Sequence, residues 1–325
     1  MMVSVQTRPG LVRVTAPARL HIGFLDLNGD LGRRFGSIGL AVDRPCAMIR
    51  IARAAVTAVS GAEVGRAHRY LVAACRALGV QPGHDLVIAG TMPAHAGFGS
   101  GTQLALAIAA GVARLDGLPF DAGAVAAELD RGARSGIGVA AFEGGGFVLD
   151  GGKGVGPAAP PIIARLPIPE AWRVVLVLDE TAEGVHGDDE RAAFRTLPTF
   201  PAADAAHLCR LVLMRMLPSL AEADIAGFGA AVTEIQARLG DHFAPAQGGG
   251  RFTSPRVAAA LTALAEAGAA GYGQSSWGPT GFALFATQAA AEAAVAALAL
   301  NDRIADGLNF LIVRGRNQGA VIEAE

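Results

Sequence analysis

The chain has 325 residues, of which 52% are hydrophobic and 17% charged, and its formal net charge is −2. This composition supports a large buried core and argues against long disordered segments, and the balanced charge gives no indication of a nucleic-acid surface. No uninterrupted apolar run reaches the length of a membrane span, and the first ten residues lack the pattern of a secretory signal. Three widely spaced cysteines predict neither a metal site nor a disulfide framework. We therefore expect a cytoplasmic protein with two domains or one large one.

Hydrophobic periodicity, glycine and proline divide the first half of the chain into strands and helices. In order, the pattern predicts a strand pair or one bent strand at 11–27, a strand at 37–42 that stops at Pro45, a strand at 47–61, a helix at 63–79, a strand at 85–93, helices at 102–115 and 121–133, and a glycine-rich turn with a short strand within 136–152.

The proline-rich stretch 157–169 predicts a linker, which would divide the chain into domains 1–167 and 168–325. The second half is predicted to contain a strand at 172–180, a loop entering a helix at 184–194, helices at 204–217 and 220–240, a flexible or ligand-ordered loop at 245–255, a helix at 255–269, a strand–turn–strand unit at 271–286, a helix at 287–299 and a strand at 308–313. This order predicts an α+β sandwich with helices on one face of a sheet.

The most informative stretch is PAHAGFGSGTQLALAIAAGVA at 93–113, in which a glycine-rich loop runs directly into an apolar helix. Glycines allow a bulky anion to approach the backbone closely, and the start of a helix offers unpaired N–H groups and a positive dipole end. Together these features predict a phosphate or pyrophosphate site, although a tight turn entering a core helix would look the same. The predicted phosphate ligands are Gly97, Gly99, Ser100, Gly101 and Thr102.

Three motifs occur in order: PARLHIGFLDL at 17–27, PAHAGFGSGTQLALA at 93–107 and GYGQSSWGPTGFALF at 271–285. Their order resembles the GHMP superfamily of small-molecule kinases. Two further stretches, RRFGSIGLAVDRP and RGARSGIGVAAFEGGGFVLDGG, make the chain more similar to the β-ribofuranosylaminobenzene 5′-phosphate synthases of methanopterin biosynthesis, a branch of that superfamily. The resemblance covers about 12–313. It implies a two-domain GHMP-type α+β fold, with an N-terminal ribosomal-protein-S5-domain-2-like part, a C-terminal ferredoxin-like sandwich and the phosphate loop between them.

The same resemblance implies a reaction. Synthases of this branch join 5-phosphoribosyl pyrophosphate to 4-hydroxybenzoate or 4-aminobenzoate, with loss of carbon dioxide and pyrophosphate and without ATP. The charge of pyrophosphate further predicts Mg²⁺, with Glu143, Asp179 and Glu180 as candidate ligands. We also expect a homodimer, with no nucleic acid or membrane as partner.

Two alternatives stay open at this point. One is an ATP-dependent GHMP kinase that acts on a small alcohol, and the other is a non-catalytic protein on the same scaffold. Ser100-Gly101 stands where such kinases usually carry two serines, and RLHIGFLD stands where many carry Gly-Glu-His. Both departures disfavour the kinase.

Charged side chains on the first strand form a second candidate group. Arg19 and His21 occupy alternate positions and therefore share one sheet face. Because an unpaired charge is costly to bury, we expect them to bind a substrate anion, unless they form a salt bridge with Asp26. Asp26 or His21 is the candidate acid–base residue. The place of Arg33 in its motif resembles that of an anion ligand.

The remaining candidates lie further along the chain. Arg131 and Arg134 are three residues apart at a predicted helix end, where they would share one face and bind phosphate, or alternatively compensate the helix dipole. Residues of the second half are expected to bring polar groups and an aromatic wall to the substrate ring: His186, Gln274, Ser275, Ser276 and Trp277.

Overall fold

Two β-sheets organise the computed structural model, which describes residues 9–182, 184, 187–299 and 307–325. Among these residues the first sheet has strand order β11-β1-β2-β4-β3, and β5 joins β2 to β6. Its strands are β1 (Leu11–Asp26), β2 (Phe35–Arg53), β3 (Ala58–Gly61), β4 (His84–Gly90), β5 (Phe147–Asp150), β6 (Ile162–Leu166) and β11 (Val321–Ala324). The second sheet is antiparallel with order β10-β7-β9-β8. Its strands are β7 (Arg173–Asp179), β8 (Gly271–Gln274), β9 (Gly281–Phe285) and β10 (Leu308–Arg314).

Helices pack against both sheets. They are α1 (Val64–Leu78), α2 (Ser100–Asp116), α3 (Ala122–Glu128), α4 (Ile137–Gly144), α5 (Gly187–Thr196), α6 (Ala202–Leu211), α7 (Leu217–Ala221), α8 (Ile225–Phe243), α9 (Pro255–Glu266) and α10 (Gln288–Ala299). A π-helical turn at Val212–Met216 connects α6 to α7. Within the described ranges, no helix combines the length and the apolar character that a bilayer crossing requires.

Helix α2 forms the centre of the first half. Its residues from Leu104 to Ala113 are all buried, and it packs against β1, β2 and α1. A helix that is apolar all round is expected in a core, and this burial fixes the position of its N-terminus, where the glycine loop lies. The predicted helix therefore exists and begins two residues earlier than expected.

Strand β2 shows why one predicted break is wrong. Pro45 was expected to end a strand, yet β2 continues from Phe35 to Arg53. Its pairing with β1 shifts register, so that Ala18 pairs with Val42 whereas Pro17 pairs with Cys46. The proline thus falls in an irregularity of the ladder, a place where a missing N–H is tolerated.

Two other predicted boundaries are also wrong. The expected linker contains β6, which pairs antiparallel with β5 and extends the first sheet. The helix predicted at 121–133 ends at Glu128, and Asp130 has a positive φ of 54°. A non-glycine residue in the left-handed region does not continue an α-helix, so the residues after it form a loop.

The two halves of the chain are interlocked. The last strand, β11, returns to pair with β1 at Val12–Thr15, and helices α6 and α8 of the second half also contact β1. One continuous apolar cluster accordingly spans both halves, from Val12 to Val313. The two sheets divide near residue 167, except that β11 belongs to the first.

Candidate active site

A cleft of about 880 Å³ opens at the N-terminus of α2. Positively charged side chains dominate its charged groups, and segments from both halves of the chain line it. The lining includes the glycine loop at 97–102, the arginines Arg19, Arg66, Arg69 and Arg131, the carboxylates Glu63 and Glu190, and the residues Tyr70, His95, Ser276 and Trp277.

Three arginines surround the first turn of α2. A Cβ placed on Gly99 would lie 3.3 Å from the guanidinium carbon of Arg19, and one on Gly101 would lie 3.5 Å from Nη1 of Arg131. Between them, Nη2 of Arg66 donates to Oγ of Ser100 at 3.0 Å. The helix has Gly99 as its N-cap and therefore no side-chain cap, so its positive dipole end faces these cations. We call Arg19, Arg66 and Arg131 the arginine collar.

Arg19 is a partly buried member of the collar. Its Nη1 donates to the carbonyl of Gly97 at 2.9 Å, whereas its buried Nε has no partner. Burial lowers the pKa of Arg19 to about 10, and the nearby Glu190 carboxylate opposes that decrease. The guanidinium therefore stays charged at neutral pH with an unsatisfied donor, which is costly unless an anion binds.

Tyr70 orients Arg131. The guanidinium stacks over the tyrosine ring at 5.3 Å and donates to its hydroxyl at 3.1 Å, while its buried Nε lacks a partner. Arg69, on the same helix as Tyr70, makes no hydrogen bond or ion pair with any described residue although it lines the cleft. Sequence reasoning missed Arg66 and Arg69. Their (i, i+3) spacing on a helix was the available signal, but nothing in the sequence showed that α1 borders the loop.

The alternative considered for Arg19, a salt bridge with Asp26, is absent. Oδ1 of Asp26 instead accepts the backbone N–H groups of Asn28 and Gly29 at 2.7 and 2.9 Å. This carboxylate therefore closes the turn after β1, and it is not among the groups that line the cleft.

Ser275 joins three segments of the chain. Its hydroxyl donates to the carbonyl of Gly97 at 2.8 Å and accepts the N–H of His21 at 2.9 Å, and the next residue, Ser276, donates its N–H to the carbonyl of His21 at 3.0 Å. The hydroxyl proton of Ser275 is thus already donated within the chain, which leaves no hydroxyl donor for the predicted contact with the substrate. The residue fixes the glycine loop against β1.

His21 is buried and neutral. Burial and, next, the charge of Arg19 lower its pKa to about 3, and its ring packs edge-on against Phe24 at 4.5 Å. An imidazole that resists protonation so strongly is a poor proton acceptor at neutral pH. It contributes a neutral polar wall near the cationic cleft.

The low pKa of His21 predicts a pH-dependent stability. Between about pH 6.5 and pH 3 the unfolded chain binds a proton that the folded chain excludes, so stability falls as pH falls. From pH 7 to pH 5, urea unfolding of the wild type is expected to lose about 2 kcal/mol more than unfolding of His21→Gln, which cannot titrate. Equal losses for both proteins would show that the folded protein does not exclude the proton.

The other predicted substrate-binding residues of the second half of the chain differ in their surroundings. The side-chain amide of Gln274 donates to Gln247 at 2.8 Å and to the carbonyl of Ser276 at 2.9 Å, so it supports the turn. Trp277 is buried and lines the cleft, but its Nε1 has no partner. Ser276, with a φ of 57°, also lines the cleft. His186 lies outside the described residues.

Two predicted anion ligands lie elsewhere. Arg33 donates to the carbonyls of Gly151 and Gly152 at 2.6 and 2.7 Å and does not line the cleft. Arg134 follows the end of α3 in a loop, so the helical spacing expected with Arg131 is wrong. Its Nη1 pairs with Oε1 of Glu190 at 2.6 Å, and its guanidinium lies 5.3 Å from the ring centre of Phe194.

The three proposed metal ligands are not brought together. Burial opposes ionisation of Asp179, but hydrogen bonds from Ser254 and Thr181 outweigh it and lower the pKa. Glu180 accepts a hydrogen bond from Asn309 at 3.0 Å, and Glu143 lies 4.0 Å from Arg165. Within the described part of the chain, no three His, Cys, Asp or Glu side chains are grouped to hold a metal ion. These three residues therefore do not form a common metal site, and Mg²⁺ itself stays a prediction.

Comparisons with known proteins agree with this architecture. A model of the GHMP kinase N-terminal domain matches residues 64–146, and a model of the GHMP kinase C-terminal domain matches residues 216–302. A homoserine kinase from Cytophaga hutchinsonii superposes with a TM-score of 0.70 over 99% of this chain and 100% of that chain, at 19% identity. A mevalonate diphosphate decarboxylase from Staphylococcus aureus gives 0.65 over 97% and 98%, at 14% identity. The fold is that of the GHMP superfamily, and the predicted α+β fold class is confirmed.

Curated relatives narrow the assignment within the superfamily. The β-ribofuranosylphenol 5′-phosphate synthase of Methanothermobacter thermautotrophicus is 33% identical over 330 residues, which cover 94% of this chain and 97% of the relative. A protein of the same name from Archaeoglobus fulgidus is 36% identical over 238 residues, covering 70% and 75%. The chain therefore belongs to the β-ribofuranosylphenol 5′-phosphate synthase family, which confirms the branch that the motifs predicted.

Proposed function

We propose that this enzyme joins 5-phosphoribosyl pyrophosphate to 4-hydroxybenzoate, releasing carbon dioxide and pyrophosphate, in methanopterin biosynthesis. The arginine collar around the first turn of α2 is the single observation that carries the proposal. Its two buried, unpartnered Nε groups, on Arg19 and Arg131, are donors that await an anion. Membership of the family supplies the reaction type, and the word phenol in the relatives' name favours the hydroxy acid over 4-aminobenzoate.

The donor carries a 5′-phosphate and a pyrophosphate, and the cleft offers several cations for them. The glycine loop and the N-terminus of α2 suit one phosphate group, with Arg19, Arg66 and Arg131 around it and Arg69 free to bind another. Guanidinium groups placed where the leaving pyrophosphate gains charge lower the barrier to its departure. Mg²⁺ would enter with the pyrophosphate as part of the substrate, since the described residues offer no metal cage of their own.

The acceptor approaches the anomeric carbon from the side of the cleft that the second half of the chain lines. Trp277 and Ser276 border that side, and an aromatic wall suits a planar benzoate ring. The ring carbon that bears the carboxylate attacks as pyrophosphate leaves, and carbon dioxide then departs with restoration of aromaticity. Binding both partners in this geometry is expected to supply a large part of the rate enhancement.

The test measures carbon dioxide released from carboxyl-labelled 4-hydroxybenzoate. Release should require 5-phosphoribosyl pyrophosphate, should not require ATP, and should exceed release from labelled 4-aminobenzoate. Purified, folded protein that releases carbon dioxide from neither acid would contradict the proposal. Transfer of phosphate from ATP to a small alcohol would then support the kinase alternative, and pyrophosphate binding without any turnover would support a non-catalytic scaffold. Size measurement of the same sample tests the expected homodimer.

A further inference from the structure

Among the described side chains, two carboxylates line a cleft that is otherwise cationic, and each of them pairs with an arginine. Oε2 of Glu63 pairs with Arg66 on its own helical turn at 2.7 Å. Glu190 comes from α5 in the second half of the chain, and it faces Arg19 closely enough to raise that residue's pKa. Its pairing partner, Arg134, does not line the cleft.

Helix α5 places Glu190 beside the aromatic side of the cleft. Phe194, one turn later, packs edge-on against Trp277 with ring centres 5.5 Å apart, and residues four apart share a helix face. Arg134 contacts both residues, because it pairs with Glu190 and stacks over Phe194. A carboxylate of the cleft lining, held by a guanidinium behind it, therefore lies near the aromatic wall that Trp277 forms.

We propose that Glu190 accepts the proton of the acceptor's 4-hydroxyl group and that Arg134, which pairs with Glu190 from outside the cleft lining, positions the carboxylate. This inference rests on the proposed function and assigns a catalytic base and its positioning residue to it. A phenolate donates electrons to the para ring carbon far more strongly than a phenol. An aniline nitrogen cannot be ionised by a carboxylate, so the pair also explains a preference for the hydroxy acid.

The step balances without any further reactant. The O–H bond breaks, its proton goes to Glu190 and its electron pair stays on oxygen. The para carbon then forms a bond to the anomeric carbon, whose bond to pyrophosphate breaks with both electrons on the leaving group. Carbon dioxide departs, its electron pair restores the aromatic ring, and the proton returns from Glu190 to the phenolate oxygen.

The experiment compares acceptors of different acidity. Wild type and Glu190→Gln are assayed with 4-hydroxybenzoate, 3-fluoro-4-hydroxybenzoate and 4-aminobenzoate. The control is Glu234→Gln, which also removes a carboxylate from an interhelical ion pair, between α8 and α6, and is not part of the cleft lining. In Glu190→Gln, kcat/KM for 4-hydroxybenzoate should fall by about 10²-fold, and the more acidic fluorinated phenol should recover about tenfold of that loss.

The reaction with 4-aminobenzoate distinguishes a catalytic role of Glu190 from a purely structural one. In Glu190→Gln, kcat/KM for 4-aminobenzoate should fall by no more than about threefold, because no proton transfer is lost. Equal losses on both acceptors would show that Glu190 merely fastens α5 through Arg134, and would overturn the proposal, as would an unchanged rate. The control should keep the wild-type ratio between the two acceptors.

A binding measurement keeps this inference distinct from the proposed function. Ultraviolet difference spectra of 4-hydroxybenzoate bound with inorganic pyrophosphate should show phenolate absorption in wild type and its loss in Glu190→Gln. A wild type that turns over the acceptor but shows neither the spectral change nor the acceptor-dependent loss would leave the proposed function standing and remove the role of Glu190. A wild-type protein that neither converts 4-hydroxybenzoate nor ionises its phenol group would contradict both the proposed function and the role of Glu190.

Discussion

Replacing Arg19 by methionine is expected to lower kcat/KM for 5-phosphoribosyl pyrophosphate by about 10²–10³-fold, the usual cost of one preorganised donor at a site of developing charge. The side chain is partly buried, so methionine keeps most of its packing while removing the cation. Its present partner, the carbonyl of Gly97, would retain the Ser275 hydroxyl as a donor. The loss should therefore appear in substrate binding and turnover rather than in folding.

Arg238→Met is the matched control for this prediction. Arg238 forms ion pairs with Asp204 and Glu234 on α6 and α8, outside the cleft, and its loss should change kcat/KM by less than about twofold. Inhibition by inorganic pyrophosphate should weaken in Arg19→Met and stay unchanged in the control. An Arg19→Met protein within about threefold of wild-type activity would show that Arg19 does not contact the donor.

The second large effect is expected at Gly97. Its φ is +86°, and an added Cβ would lie 2.2 Å from the carbonyl oxygen of Ser275. Both the left-handed conformation and the backbone clash penalise Gly97→Ala, which we expect to cost about 3 kcal/mol. For a chain of this size that corresponds to a decrease in Tm of roughly 4–5 °C, accompanied by loss of activity because the loop can no longer close against β1.

Gly117→Ala distinguishes the cost of the left-handed conformation from the cost of the backbone clash. Gly117 also has a positive φ, +65°, but an added Cβ would meet nothing within 4 Å. This variant should lose only about 1 kcal/mol, the conformational cost alone, and should retain activity. Similar losses of Tm in the two variants would argue that contact with Ser275 is unimportant.

The sequence predicted helices and strands well where the hydrophobic periodicity was strong. It predicted them poorly where contacts with residues distant in the sequence determine the structure. Helix α2 and the glycine loop followed from local pattern, and Arg19 and Arg131, which were predicted to bind anions, lie beside that loop. Arg66 could not be assigned, because only the packing of α1 against α2 brings it to Ser100. The role of a side chain likewise depends on its burial and on its hydrogen-bond partners, which only the folded structure shows.

Three residues show that a motif alone does not reveal whether a side chain binds a ligand. The motifs predict functional contacts for Ser275, Asp26 and Arg33, yet each of these side chains forms hydrogen bonds with the backbone of this chain. In a sequence, polar residues that stabilise a loop cannot be distinguished from polar residues that contact a ligand, because the same residue types serve both purposes. Glu190 shows the converse, since an acidic residue in a polar helix gave no indication that it would face a cationic cleft.

The pairing of β11 with β1 has a consequence for how the protein is made. Strand β1 emerges from the ribosome first among the strands of its sheet, but it lacks this neighbour until residues 321–324 have been synthesised. The contact joins residues more than 300 positions apart, and such distant pairings make folding slow. A nascent chain halted after the last helix would keep an open sheet edge, which invites aggregation. Chaperone dependence should therefore decline only once synthesis passes β11.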